Sequence, residues 1–265
     1  VARDGMGRLG HDRPKTAALI PARLESSRLP RKALADILGI PMVVHVYERC
    51  LLANTIDEVY VATDSQEIQE AVTAHGGQVL MTASSHETGT DRIAEAAVAL
   101  DAEVVVNVQG DEALVDPNHI DTVVSVLHDD PNVNVAILVN PFSKRDSPSD
   151  IKVVLNERND VMYLSRADIP SDARTPNPAL LKAYHILPFR KEFLLQYAGW
   201  EKGRLERIEY HEHLRILEKG YTIRAVEVES HAISVDTKED LAFVREAMAT
   251  DLLFQVYAPK FSHPS

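Results

Sequence analysis

The chain has 265 residues, 45% of them hydrophobic, a formal net charge of −12 and a single cysteine, Cys50. That length fits one large domain or two small ones, and the apolar content is that of a globular protein with a real core. The negative balance disfavours nucleic acid and anionic membrane as partners, one cysteine allows no internal disulfide, and no apolar run approaches the roughly 20 residues of a membrane span, so a cytoplasmic location is expected.

Along the chain, the first 15 residues lack the apolar stretch of a signal peptide and read as a disordered leader. Strands are expected at "AALI" (17–20), "EVYVAT" (58–63), "QVLM" (78–81) and "EVVVNVQG" (103–110). Helical patterns separate them: 42–53, which places Cys50 on a core face; 64–77, opened by a cap-like Asp64 and stopped by two glycines; and 91–100. Such alternation implies right-handed βαβ units and a parallel sheet covered on both faces. The later strands, 150–157, 160–167, 182–190 and 222–229, have shorter spacers, with helices expected at 206–221 and 237–249. The reading is one α/β domain over 16–249 with a C-terminal tail from 250. The later strands either extend the sheet or form a subdomain over one edge.

In an open parallel sheet, ligands bind beyond the carboxyl ends of the strands. The loops there are 21–32, 63–65, 82–92, 109–117 and 233–238. The first of them, within "IPARLESSRLPRK", holds no glycine. Neither G-x-G-x-x-G nor a P-loop motif occurs, which disfavours NAD binding and P-loop NTPase chemistry. The loop carries Arg23, Arg28, Arg31 and Lys32 instead, which either fork onto phosphate oxygens or form a solvated basic turn. Asp111, at the end of "NVQGDE", is placed to bind a hard cation or to cap the next helix. Asp236 in "ISVDTKEDL" faces the same choice; a pair of acids from two strand ends would make a metal site that clamps a triphosphate. "SSHETGTDR" (84–92) suits base or ribose recognition. The "HEH" at 211–213, read on a helix, puts its histidines at i and i+2, on different faces, so no zinc site is expected there.

"LIPARLESSRLPRKALADILGIPMVVHVYER", "VYVATDSQEI", "TGTDRIAEA", "VVVNVQGDE", "IKVVLNERNDVMYLSRADIP" and "SVDTKEDL" occur in this order. Together they resemble the 3-deoxy-manno-octulosonate (Kdo) cytidylyltransferases. The resemblance runs from about Thr16 to Met248. It implies a nucleotide-transferase, Rossmann-like three-layer α/β fold with a smaller β-rich part, CTP as donor, a small acidic acceptor, Mg²⁺, pyrophosphate release and a homodimer. By the same resemblance Arg23, Arg28 and Lys32 hold the CTP phosphates, with Ala22 beside them. Ser85, Thr88, Gly89 and Gln109 surround the nucleoside. Asp111 and Asp236 bind the metal and, with Arg23 and Lys32, carry the catalysis. Arg166 and Glu212 face the acceptor, and Arg31, His185 and His213, which depart from the family pattern, are expected to add contacts there that favour a compact anion.

The chain departs from the family pattern on the acceptor side. Arg31-Lys32-Ala33 stands for Gly-Lys-Pro, and "QGDEA", with Ala113, for a proline-ended motif. "AYHILPFR" has Ala183 for a histidine, His185 for a glycine, and Leu187 and Phe189 for tyrosines; His213 replaces a glutamine. Losing hydroxyl and amide groups weakens the fit to a polyol. From sequence alone a compact phosphonate such as phosphonoformate is therefore favoured as acceptor over Kdo.

Overall fold

The computed structural model describes residues 13–26, 28–230 and 233–261. Most of the expected leader lies outside them. Its last residues are fastened to the fold. Arg13 pairs with Asp57 at 2.7 Å and Lys15 with Glu58 at 2.9 Å.

In chain order the first half runs β1 (Thr16–Pro21), a 3-10 turn (Lys32–Leu34), the hairpin β2 (Asp36–Ile37) and β3 (Ile40–Pro41), α1 (Met42–Leu52), β4 (Glu58–Thr63), α2 (Gln66–Ala74), β5 (Val79–Met81), α3 (Gly89–Val98), β6 (Val104–Val108) and α4 (Pro117–Asp129). The second half runs β7 (Ala136–Phe142), β8 (Lys152–Leu155), β9 (Val161–Ser165), β10 (Leu180–Tyr184), β11 (Ile186–Arg190), α5 (Lys191–Ala198), α6 (Arg204–Glu209), α7 (Leu214–Glu218), β12 (Arg224–Glu227), α8 (Lys238–Ala249) and α9 (Leu252–Tyr257).

The first sheet has the order β11-β6-β1-β4-β5, parallel except for β11. Its central strands β1 and β6 are apolar but for Thr16 and Asn107, because both faces are covered. Alternate residues of β1 divide between the two layers. Ala17 and Leu19 pack with Ile93, Ala94 and Ala97 of α3. Ala18 and Ile20 pack with Val43 and Val46 of α1 and with Ile120 and Val123 of α4. This is the three-layer arrangement expected.

The second sheet, β12-β7-β10-β8-β9, is mostly antiparallel. The single strand expected over 182–190 is two strands in two sheets. β10 pairs with β7 and β8, whereas β11 pairs with β6. His185 is the residue between them, at the point where the chain passes from one sheet to the other. Leu187 and Phe189 are fully buried in the core. The helix expected over 206–221 is also broken. Tyr210, at φ 49°, closes α6, and residues 210–213 form a connection before α7.

The segment expected as a tail from residue 250 packs instead. α9 buries Tyr257 completely, and its hydroxyl lies 2.8 Å from His45 Nδ1. Cys50 is buried as expected, and burial pushes its thiol pKa up, which suits a core residue rather than a nucleophile.

Candidate active site

A cleft of about 250 Å³ opens where β1 and β6 end. Ala22, Arg23, Arg28 and Lys32 from the first loop line it, with Thr88 and Gly89, then Gln109, Gly110 and Asp111, and finally Asp236. Four of the five loops expected at this edge therefore contribute. The fifth acts from behind. Asp64 is not the cap of α2, a role taken by Ser65; it pairs at 3.2 Å with Arg92, which is buried at the cleft wall.

Lys32 is the centre of the cleft. Its Nζ donates to Asp111 Oδ2 at 2.6 Å and to Asp236 Oδ1 at 3.1 Å. Burial alone would lower the lysine pKa, but the two carboxylates outweigh it and hold it above its ordinary value. Arg28 adds a 3.0 Å ion pair to Asp236 Oδ2.

Local structure frees both acids for this work. Asp236 precedes α8, but the cap is Thr237, whose hydroxyl accepts from Asp240 N at 3.1 Å. The cap of α4 is Asp116, not Asp111. A backbone bond, Val235 N to Asp111 O at 3.0 Å, ties the two acid-bearing segments side by side. Beneath them Leu29, Met42, Ala113, Val235, Leu241 and Val244 form a small core that holds the basic loop against α8. Gly110 is required by close packing. A Cβ there would sit 2.9 Å from the Pro21 carbonyl oxygen, and one on Gly89 would sit 3.1 Å from Pro21 Cγ.

Several expected site residues are placed elsewhere. Ser85 lies outside the cleft, and His86 lines it instead. Arg31, in the left-handed region at φ 58°, turns its side chain onto Glu67 of α2. Arg166 is occupied by backbone carbonyls: Nε donates to Glu209 O at 2.6 Å, Nη1 to Pro148 O at 2.7 Å and Nη2 to Tyr210 O at 3.0 Å. It holds the end of α6 through these bonds. Glu212 accepts from Thr90 at 2.7 Å, and its second oxygen is buried without a hydrogen-bond partner.

His185 and His213 do come together, joined by His211, which the sequence reading set aside. Ring centroids are 5.6 Å apart for His185 and His211, 6.2 Å for His185 and His213, and 5.1 Å for His211 and His213. Burial drives all three pKa values down, to about 4 for His185 and about 3 for His213, so the rings are neutral. Next to the cleft, Glu112 is buried and bonds Ser234 Oγ; burial first, then the charge of Asp111, raises its pKa to about 7.

Residues 17–226 match the family model described as Cytidylyltransferase. The chain is 44% identical over 239 residues to the 3-deoxy-manno-octulosonate cytidylyltransferase of Syntrophotalea carbinolica, covering 86% of this chain and 96% of that one. It is 40% identical over 240 residues to the protein of that name from Escherichia coli, covering 90% and 98%. A solved structure of CMP:2-keto-3-deoxy-manno-octonic acid synthetase complexed with CTP superposes with a TM-score of 0.87 at 40% identity, covering 90% of this chain and all of that one. With a cleft that sets two acids and a lysine at the carboxyl edge of a parallel sheet, the chain belongs to the cytidylyltransferase family, as a CTP-dependent nucleotidyltransferase of the CMP-Kdo synthetase type.

Proposed function

We propose that this cytidylyltransferase moves CMP from CTP onto a 3-deoxy-ulosonic acid of the Kdo class, with release of pyrophosphate. The observation that carries the reading is the Lys32–Asp111–Asp236 cluster inside a chain 40% to 44% identical to enzymes named for that acceptor. The phosphonate favoured from sequence alone rested on polar groups lost at Ala183, Leu187 and Phe189 and on charge gained at Arg31, His185 and His213. Leu187 and Phe189 belong to the core, and Ala183 is buried with them, so their loss of polar groups says little about the acceptor. Arg31 is paired with Glu67, and the two histidines are packed ring against ring.

The residues divide the work as phosphoryl-transfer physics requires, by positioning reactants and neutralising charge. Arg23, Arg28 and Lys32 face the phosphates and stabilise the charge that grows on the departing pyrophosphate. Gly89 and Gly110 let the cleft loops pack closely against Pro21, and Gln109, whose Nε2 donates to Asn107 Oδ1 at 3.1 Å, borders the nucleoside side. Asp111 and Asp236 fit Mg²⁺: they are hard oxygen donors, one after β6 and one just before α8, and a cationic ammonium already sits between them. When bound there, the ion would neutralise phosphate charge, while Lys32 moves from the acids to the phosphates. The same complete cleft argues against a CTP-binding protein without catalysis.

The deciding experiment is pyrophosphate release from CTP and Mg²⁺ with Kdo and with phosphonoformate, side by side at matched concentrations. Faster release with Kdo is expected. Product from phosphonoformate with none from Kdo would overturn the acceptor assignment, and equal use of UTP would overturn the nucleotide assignment.

A further inference from the structure

We propose that His185, His211 and His213 form a second cation site, for a borderline divalent transition ion of the Zn²⁺ class, with its open position toward the acceptor. The last clause rests on the reading that this side of the cleft holds the acid.

The site is assembled from two separate pieces of chain. His185 sits at the passage from β10 to β11. His211 and His213 come from the 210–213 connection, where a turn between two helices, opened by the left-handed Tyr210, lets i and i+2 residues converge. That connection is held at both ends. Arg166 fixes the carbonyls of Glu209 and Tyr210. Arg215 pairs with Glu206 through two bonds of 2.8 and 2.7 Å, both residues buried.

One nitrogen from each of the three rings lies within 4.8 Å of the others. An ideal tetrahedral set at about 2.1 Å from the ion has nitrogens roughly 3.4 Å apart, so the rings need to close by up to about 1.4 Å. His211 is 7% exposed and His213 3%, yet Nε2 of His211 and both nitrogens of His213 have no hydrogen-bond partner. Ring packing alone leaves those atoms unsatisfied, at a cost of roughly 1–3 kcal/mol each. A cation shared among them removes much of that cost. Glu212 Oε1 lies 3.9 Å from His213 Nε2, too far for a hydrogen bond but near enough to orient a ligating imidazole after a small shift. Three imidazoles select Zn²⁺, Co²⁺ or Ni²⁺ rather than Mg²⁺, which prefers oxygen. Three protein ligands leave a fourth position, and His185, the one partly exposed member, marks the side where it opens. A carboxylate with a neighbouring oxygen, as in a 3-deoxy-ulosonic acid, chelates such an ion. The histidines would then do for the acceptor what hydroxyls and amides would do elsewhere.

The probe is Co²⁺, titrated into chelator-treated protein and read by its visible d–d absorption, with Zn²⁺ competition followed by calorimetry. One ion per chain is expected. Binding should weaken by roughly 100-fold or more in His211→Ala, His213→Ala and His185→Ala. It should persist in the Asp111→Asn, Asp236→Asn double variant. His185 is partly exposed, so its variant carries the test should the buried ones fail to fold. Kdo should change the Co²⁺ spectrum of the wild type. Absence of stoichiometric binding in protein that still binds CTP, or binding unchanged in His185→Ala, overturns the site. A spectrum indifferent to Kdo overturns its role toward the acceptor. Because these readouts need no turnover, they stand apart from the pyrophosphate assay that tests the acceptor itself.

Discussion

Ending the chain after Ala249 should cost the protein most of its stability. Tyr257 is fully buried, and its hydroxyl serves Nδ1 of His45, whose Nε2–H is directed at the Ile37 carbonyl 2.9 Å away. Asp251 accepts a 2.6 Å bond from Arg49, which is 1% exposed. Removing a buried aromatic costs about 3–5 kcal/mol. Leaving a buried arginine without its acid costs a similar amount, about 3–5 kcal/mol. Against a total stability of about 5–15 kcal/mol, the truncated chain lies near the threshold of unfolding. Tyr257→Phe is the gentler form: it strips the donor from His45 at a cost of about 1–2 kcal/mol. For a chain of this size that lowers Tm by roughly 2–8 °C. Urea unfolding followed by circular dichroism and by Trp200 fluorescence measures both. A truncated protein with an unchanged urea midpoint would refute the reasoning, because residues 250–261 would then be appended to the core and not part of it.

Asp111→Asn and Asp236→Asn should each leave the thermal melt nearly unchanged and lower CTP turnover by roughly 100-fold or more, a steady-state measurement that near-normal Asp236→Asn rates would decide against us. Lys32→Met should lower kcat by roughly 100- to 1,000-fold. It should also destabilise the free enzyme, since Asp111 and Asp236 then face each other without a cation. Gly110→Ala should fold but lose CTP affinity in calorimetry, as its Cβ displaces the Pro21 backbone. Acid should weaken the fold through His45, whose native pKa burial lowers from 6.5 to about 4. The unfolded chain binds the proton first, so stability is full above pH 6.5 and falls as the pH drops toward 4, by about 2 kcal/mol at pH 5. Urea midpoints at pH 7.5 and 5 should show this slope, and a His45→Gln variant should lose that part of it.

The first half of the fold could be read closely because its signals are local. A strand such as 103–110 is apolar on both faces, and its helices carry hydroxyl caps and glycine stops, so β1, β4 and β6 fall where periodicity puts them. The phosphate side of the cleft followed, since Lys32 and Asp111 lie in the loops after β1 and β6 and Asp236 lies just before a hydroxyl-capped helix, α8. The second half depends on distant partners. Nothing near Tyr210 announces the left-handed residue that splits 206–221, so sequence alone puts the two histidines on one helix where the structure has a turn. The "HEH" spacing was the available signal; in a turn both rings meet a common neighbour, on a helix they would not. Arg31 and Arg166 show the same limit. A guanidinium's charge is visible in sequence, but Glu67 and the Glu209 carbonyl, which take these two, are known only from the packing. His185 looked like one residue inside a strand because the change of sheet leaves the apolar pattern unbroken.

The ammonium of Lys32 gives the resting cleft an internal counter-ion. Lys32 and Arg28 face Asp111 and Asp236, so two cations meet two carboxylates and this ion-pair cluster is neutral within itself on a chain of net charge −12. On the proposed function, nucleotide capture would be an exchange of partners and not the filling of a charged hole. Asp111 and Asp236 would hold a cation brought with the triphosphate and release Lys32 to the phosphates, while a bare triphosphate would draw off the lysine and leave two carboxylates exposed to each other. Such a cleft would favour the metal-bound over the free nucleotide. Because ion pairs are broken and remade in equal number, binding should depend less steeply on ionic strength than the charge of the whole protein would dictate.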